Sequence, residues 1–368
     1  MSWAIRSFTE VFSDVSAGSP KVLQSDFVDT GRYPIVDQGV RPVAGYTDAV
    51  EVLSPATLPI VVFGDHTRRF KYVDQQFAVG ADGVKLLRPS PELDTKFAFH
   101  YLSSLTLPNA GYSRHFKFLK EVRVPVPPLP EQRRIAAILD QTDELRGMRC
   151  HALALLDSLV SGLVASITSR TDWPVVRIHT VAQTQGGLTV NRKRAALPRS
   201  SSYLRVANVF RGSIDLANVK QIGVTEADLQ RVALEHGDLL IVEGHGNENE
   251  VGRAARWSGD GTMVHQNHLI RVRPNDDVLD SIYAEAFINS VHGRAYFRAV
   301  SKTTSGLNTI NMTNVKEMPV NLPPIDVQRI FATQIASIKV LQDVHRAHLA
   351  KLDELFASLQ HRAFRGEL

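Results

Sequence analysis

The sequence predicts an α+β chain: two mixed, mostly β globular domains, each followed by one long helix, in an internal repeat that can approach two-fold symmetry. Three observations predict it. The stretch PPLPEQRRI at 127–135 returns 196 positions later as PPIDVQRIF at 323–331. Each copy is followed by an apolar stripe at steps of three and four. Ahead of each copy, short apolar runs alternate with Gly, Asp, Asn and Pro, a spacing of strand length rather than helix length.

Taken in order, the first block holds strand-length runs at 59–63 and 83–87 and a short helical stretch at 95–105. The first long helix carries Ile135, Leu139, Thr142, Leu145, Arg149, Leu153, Leu156, Val160, Leu163 and Ile167 on one stripe. Its prolines stand where a helix tolerates them, at or before the first turn. Glu131 places a carboxylate near the positive end of the helix dipole, as does Asp326 in the second copy. The second block starts near Trp173 as the first starts near Trp3. Tyr33, Val36 and Arg41 match Tyr203, Val206 and Arg211 at an offset of 170, so the second block is about 26 residues longer in its middle. The two tyrosines are expected to close the core of their blocks. Runs at 238–242 and 268–272 are further strands, and 279–292 a short helix. The second long helix repeats the stripe with Phe331, Ile335, Ile338, Leu341, His345, Leu349, Leu352, Phe356, Leu359 and Ala363.

The two helical segments align without a gap. Leu145, Leu153, Leu156, Asp157, Leu159 and Leu163 fall on Leu341, Leu349, Leu352, Asp353, Leu355 and Leu359. A near-heptad stripe over about five repeats argues for a coiled-coil seam. Each helix would be roughly 50–57 Å long at 1.5 Å per residue. Arg149 and His345 occupy matching stripe positions, where a polar side chain either sets register or snorkels to solvent.

Bulk composition narrows the function. The 368 residues carry a net charge of +4, with a pI near 9.1, compatible with an acidic partner such as nucleic acid. Cys150 is the sole cysteine, which excludes an intramolecular disulfide and a multi-cysteine zinc site and fits a reducing cytoplasm. The N-terminus lacks a signal-peptide pattern, and no apolar stretch is expected to reach the ~20 residues of a membrane helix.

With these pieces together, the chain resembles the specificity subunit of a type I restriction–modification system over essentially its whole length. The resemblance rests on PLPEQRRIA at 128–136, its degenerate copy at 324–331, LPIVVFGDHTRRFKYV at 58–73 and the ending FRGEL at 364–368. It implies target-recognition domains at 1–128 and 170–323, separated by an antiparallel coiled coil of spacer helices at 129–169 and 324–368. Each domain would read one half of a bipartite site in double-stranded DNA. The helices would set the gap and recruit modification (methyltransferase) subunits, the whole joining a restriction (translocase and endonuclease) subunit. Gln132, Arg133, Leu145, Leu156, Gln328, Arg329, Leu341 and Leu352 are the helix residues this implies for spacing or subunit contact. S-adenosylmethionine, ATP and magnesium would be used by the partners, with no cofactor in this chain. The second block departs from the first, having GDLLIVEGHGNENEVGR at 237–253 in place of GDHTR.

No catalytic site is expected. There is no GxxxxGK[ST] loop and no GxGxxG after a strand. Glu92, Asp94 and Lys96 mimic a nuclease triplet without its upstream partner, and Glu243, His245, Glu248 and Glu250 form an acidic loop expected to stay solvated rather than hold a metal. Phosphate contacts need Lys and Arg, and base edges need Arg, Asn, Gln and His. The candidates are His66, Arg68, Arg69, Lys71, Arg114, His115 and Lys117 in the first block, with Tyr112 and Phe116 interleaved in the second cluster. In the second block they are Arg192, Lys193, Arg194, Lys302, Thr303, Ser305 and Asn308, the last four around Gly306. Two other classes stay open: a coiled-coil protein-interaction scaffold, and a self-contained nuclease or methyltransferase.

Overall fold

The computed structural model describes all residues except Met1, Ser2, Ala81, Asn109, Ala110, Tyr112, Ser113, Asp260, Gly261 and Ser305; Ser305, an expected DNA-contact residue, and Tyr112, interleaved in the second basic cluster, therefore lie outside the described residues. The chain divides into two compact units, Met1–His151 with Arg346–Leu368, and Ala152–His345.

The first unit begins with β1 (Ala4–Ser7), α1 (Phe8–Val11) and β2 (Phe12–Asp14). Then come β3 (Tyr33–Val36), β4 (Gly45–Thr47), β5 (Ile60–Gly64), β6 (Phe70–Val73), β7 (Ala78–Val79) and β8 (Val84–Pro89). After α2 (Thr95–Ser104), α3 (Phe116–Leu119) and β9 (Arg123–Val126) the chain enters the long helix α4 (Leu129–Thr168). Three sheets form, in the orders β2-β8-β5-β6, β4-β3-β7 and β1-β9. β5, IVVFG, is buried along its whole length, as expected of a central strand flanked on both faces. Val61, Phe63, Phe97 and Leu102 pack with Ile135, Leu139 and Ala363 from the two long helices. Phe364, of the FRGEL ending, stands edge-on to Phe97 and Tyr101.

The second unit repeats the plan. It contains β10 (Val175–Arg177), α5 (Ile178–Val181), β11 (Ala182–Gly186), α6 (Arg192–Ala195) and β12 (Ser200–Leu204). The middle holds β13 (Val209–Phe210), β14 (Ser213–Ile214), β15 (Lys220–Gly223), α7 (Glu226–Val232), β16 (Leu239–Val242), β17 (Gly244–His245), β18 (Ala254–Arg256), β19 (Met263–His265) and β20 (Leu269–Pro274). It closes with α8 (Ser281–Asn289), α9 (Val291–Val300), β21 (Lys302–Thr304), β22 (Leu307–Thr309), α10 (Met312–Lys316), β23 (Pro319–Asn321) and the long helix α11 (Ile325–Ala363). The sheets β11-β20-β16-β18, β15-β12-β19 and β10-β23 match those of the first unit strand for strand. In β4-β3-β7 and in β15-β12-β19 the middle strand is antiparallel to one neighbour and parallel to the other. The β13–β14 hairpin and α7 fall within the longer middle read from the sequence. Tyr203 is buried on β12, whereas its counterpart Tyr33 on β3 is partly exposed beneath the Arg32 guanidinium.

The repeated motif has one local purpose. Gln132 is fully buried at the head of α4. Its Oε1 accepts from the Asp94 amide at 2.7 Å, and its Nε2 donates to the carbonyls of Pro127 (2.7 Å) and Glu92 (2.8 Å). Asp94 in turn caps α2 by accepting from the amides of Lys96 and Phe97. Gln328, equally buried, makes the same three bonds: Oε1 from the Asp280 amide (2.9 Å), Nε2 to Pro323 (2.8 Å) and Val278 (3.0 Å). Asp280 caps α8. Both glutamines are therefore occupied inside their own unit and not offered to a partner subunit; Arg133 and Arg329 beside them are exposed.

The long helices run antiparallel within each unit. In the first, Arg146 Nε donates to Asp353 Oδ1 at 2.7 Å, and its guanidinium lies 4.7 Å above the Phe356 ring. In the second, Gln342 Nε2 donates to Asp157 Oδ1 at 2.7 Å. These contacts are one contact repeated, since Arg146 and Gln342, and Asp157 and Asp353, stand 196 apart. They also revise the expected stripe. Leu145 and Leu341 are 40 % and 50 % exposed, because the seam steps from Thr142 to Arg146 and from Ile338 to Gln342. Leu156 and Leu352 stay partly buried. α4 also holds an 18-residue window of mean hydropathy 1.7 of which 6 % is buried. Among the described residues it is the one helix that length and composition alone would allow to cross a membrane, and it is the same helix whose other face pairs with α11.

Two outcomes follow for stability. Gln132→Leu strips the buried Pro127 carbonyl and the part-buried Asp94 amide and Glu92 carbonyl of their partners and should destabilise the chain by about 1–3 kcal/mol, with Gln328→Leu similar. The urea midpoint measures this, and an unchanged midpoint rejects the clamp. His265 is fully buried, its Nε2 3.3 Å from the Gln185 carbonyl, and burial pushes its pKa down from 6.5 to about 4. Between those values the unfolded chain binds a proton that the native chain does not. The contribution is therefore complete above pH 6.5 and is lost as pH falls towards 4, by up to about 3 kcal/mol. His265→Gln should flatten that slope when urea midpoints at pH 7 and pH 4.5 are compared.

Candidate nucleic-acid interface

In the first unit three segments meet at the end of β5. The tip at 64–69 is tight: Arg68 N donates to Gly64 O at 2.7 Å, Gly64 N to Arg69 O at 2.9 Å, and Arg68 takes the left-handed φ of 60°. A Cβ on Gly64 would lie 2.3 Å from Thr67 Oγ1 and 2.8 Å from Gln38 Cβ, so the turn needs glycine. Asp65 N donates to Gly83 O at 2.7 Å, bringing in the 82–83 turn. Asp65 O accepts from His115 N at 3.1 Å, bringing in the segment that starts α3. A cleft of about 520 Å³ opens beside this junction, lined by Lys21, Lys85 and Arg114 together with Asp14, Asp65 and Asp82. Lys85 pairs with Asp14 at 2.8 Å and Lys21 with Asp82. The Lys85 and Lys120 ammonium groups lie 5.2 and 5.4 Å from the Phe116 ring centre.

The second unit builds the same junction from different residues. Glu243 follows β16 as Asp65 follows β5. Glu243 N donates to His268 O at 3.0 Å, and Glu243 O accepts from Ile310 N at 2.9 Å. β17 then pairs with β22, setting His245 opposite Asn308, so the EGHGNENE loop and the 302–309 hairpin lie together. Asn308 Oδ1 accepts from Thr303 Oγ1 at 2.7 Å while its Nδ2 reaches the carbonyls of His245 and Gly246. Gly306 turns the hairpin with φ 79°, and nothing lies within 4 Å of where its Cβ would be.

The expected contact residues divide accordingly. Arg69, Arg114, Lys117, Arg192, Lys193, Lys302 and Thr303 are exposed. The others among the described residues have structural partners. His115 is buried, with Nδ1 2.9 Å from Asp65 O. Arg68 donates to Leu107 O at 3.2 Å. Lys71, its side chain 10 % exposed, pairs with Asp37 at 3.2 Å. Arg194 pairs with Asp228 at 2.8 Å and holds that carboxyl far below its ordinary range. Asn308 is buried in the hairpin, and His66 is partly exposed beside Gln38. Lys21 and Lys85, isolated lysines in the sequence, are brought to the cleft by the tertiary fold, where each pairs with an aspartate. The other chemistry-bearing clusters are also occupied. Asp94 is the α2 cap and Lys96 pairs with Asp140. Glu243 lies 3.1 Å from the His268 ring, and Glu250 pairs with Arg211 and Arg253. Among the described residues no three His, Cys, Asp or Glu stand together as metal ligands.

Comparison with known proteins fits this geometry. Residues 2–148 match the family model described as the type I restriction modification DNA specificity domain. Over 271 residues the chain is 26 % identical to the StySPI type I restriction enzyme specificity subunit of Salmonella potsdam, covering 67 % of this chain and 58 % of that one. Over 274 residues it is 28 % identical to the EcoKI specificity subunit of Escherichia coli K12, with the same two shares. The matched stretch thus spans less than two thirds of either relative's length. A type I restriction–modification S subunit from M. genitalium has the same fold: it superposes with a TM-score of 0.64 at 14 % identity, over 99 % of this chain and 96 % of that one.

Proposed function

We propose that the chain is a type I restriction–modification specificity subunit, a reading supported by the family model over residues 2–148 and by the relatives that are 26 % and 28 % identical. It reads a bipartite site in double-stranded DNA, one half with each unit, and carries no catalytic centre itself. The observation that carries this reading is the junction after the central strand, built twice, which gathers separate segments bearing exposed Lys and Arg. Arg69, Arg114 and Lys117 stand on it in the first unit and Lys302 in the second, while Arg192 and Lys193 are exposed on α6. Cations of this kind fix a protein on the phosphate backbone, and polar groups on the same loops read base edges.

The long helices set the gap between the half-sites and dock the modification subunits. Leu155, Leu159, Val340 and Val344 support this, since each is 44–64 % exposed on a helix whose other face is packed. The modification subunits use S-adenosylmethionine to methylate adenine, and a restriction subunit uses ATP and magnesium to translocate and cleave. The complex works in the cytoplasm, where its DNA is.

A salt titration of the assembled protein tests the DNA contacts. Affinity should fall steeply with salt, and Arg192→Ala, Lys193→Ala or Lys302→Ala should each weaken binding and reduce the log–log salt slope by about one. Arg194→Ala, which frees Asp228 instead of a phosphate, should lower the urea midpoint and leave that slope unchanged. A salt-independent affinity contradicts the reading.

A further inference from the structure

Asp65 is an unusual residue to find closing a strand inside a domain. It is 2 % exposed. Burying a carboxylate is costly unless its oxygens are hydrogen-bonded, so mere packing would be served better by an apolar residue. Its Oδ1 accepts from the Phe116 amide at 2.7 Å, the first amide of α3. Its carbonyl accepts from His115 N at 3.1 Å and stands 2.9 Å from His115 Nδ1. Its amide donates to Gly83. One residue thus joins the basic 64–69 tip, the 82–83 turn and the basic 114–117 segment.

The second unit shows what the side chain is for. Glu243 makes the equivalent two backbone bonds, but its carboxylate turns to the exposed His268. There the junction is reinforced by the β17–β22–β21 sheet. In the first unit the described part of 105–115 forms no strand, and the Asp65 carboxylate provides the tie instead.

We propose that Asp65 is a positioning residue for DNA reading: it holds Arg114 and Lys117 in register with Arg69, so that the two segments address one half of the DNA site together. This rests on the DNA-reading function proposed above. The test is the methylated motif left on the host genome by the full chain working with its modification subunit, mapped for wild type and for Asp65→Ala. The expected result is one relaxed half: at least ten-fold more methylation at sites mismatched in that half, with the other half still read stringently. Continued methylation shows that the chain folds and assembles. A motif identical to wild type overturns the proposal. If Asp65→Ala abolishes methylation, Asp65→Glu decides, since it keeps the acceptor but lengthens the tether by one methylene. Relaxation of one half alone by Asp65→Glu supports positioning; an unaltered motif, or total loss in both variants, overturns it in favour of a structural role alone. A wild-type chain that yields no split motif would instead refute the proposed function itself, a separate failure.

Discussion

Each long helix is tied to the globular block before it by a single buried amide. The side chain of Gln132 or Gln328 has one acceptor and two donor hydrogens, and all three are used inside the protein. They join three pieces of chain: the cap of the block's own helix, the proline that ends the block, and the carbonyl just before the cap. A side chain so enclosed fixes the direction in which the helix leaves the block, because tilting the helix would strand polar groups away from water. The two prolines make the same point from the other side, since they stop the helix from extending backwards. Everything further along the helices inherits that starting point.

The seam keeps the relation going. Apolar knobs alone would tolerate sliding by a turn. The bonds from Arg146 to Asp353 and from Gln342 to Asp157 would not survive such a slide. Each is partly exposed and contributes modestly to stability, so its value lies in register. Because the four residues are related by the internal repeat, each unit carries its own copy of the lock.

Much of this was legible in the sequence. The paired motifs, the helix starts, the central strands and the doubled architecture all follow from local pattern, where proline, helix period and short β-branched runs act over a few residues. The seam was misread at Leu145 and Leu341. Step counting prefers leucine, while the structure prefers the long polar side chains one position on, which reach across to an aspartate. The identical Asp157 and Asp353 were the available signal, since an acidic residue kept in a seam's register invites a partner. The candidate interface was legible only in part. Arg68, Lys71, Arg194 and His115 look as available as Arg69 in one dimension. Their partners Leu107, Asp37, Asp228 and Asp65 are distant in sequence and appear only when the loops converge.

The central claim is that one chain carries two DNA readers held by two matching arms. The most direct measurement is single-molecule methylation mapping of the host genome with and without this gene. The account predicts the loss of one adenine motif split into two defined halves by a fixed gap. Loss of a continuous motif, or an unchanged methylome in a host whose modification subunit is active, would contradict it.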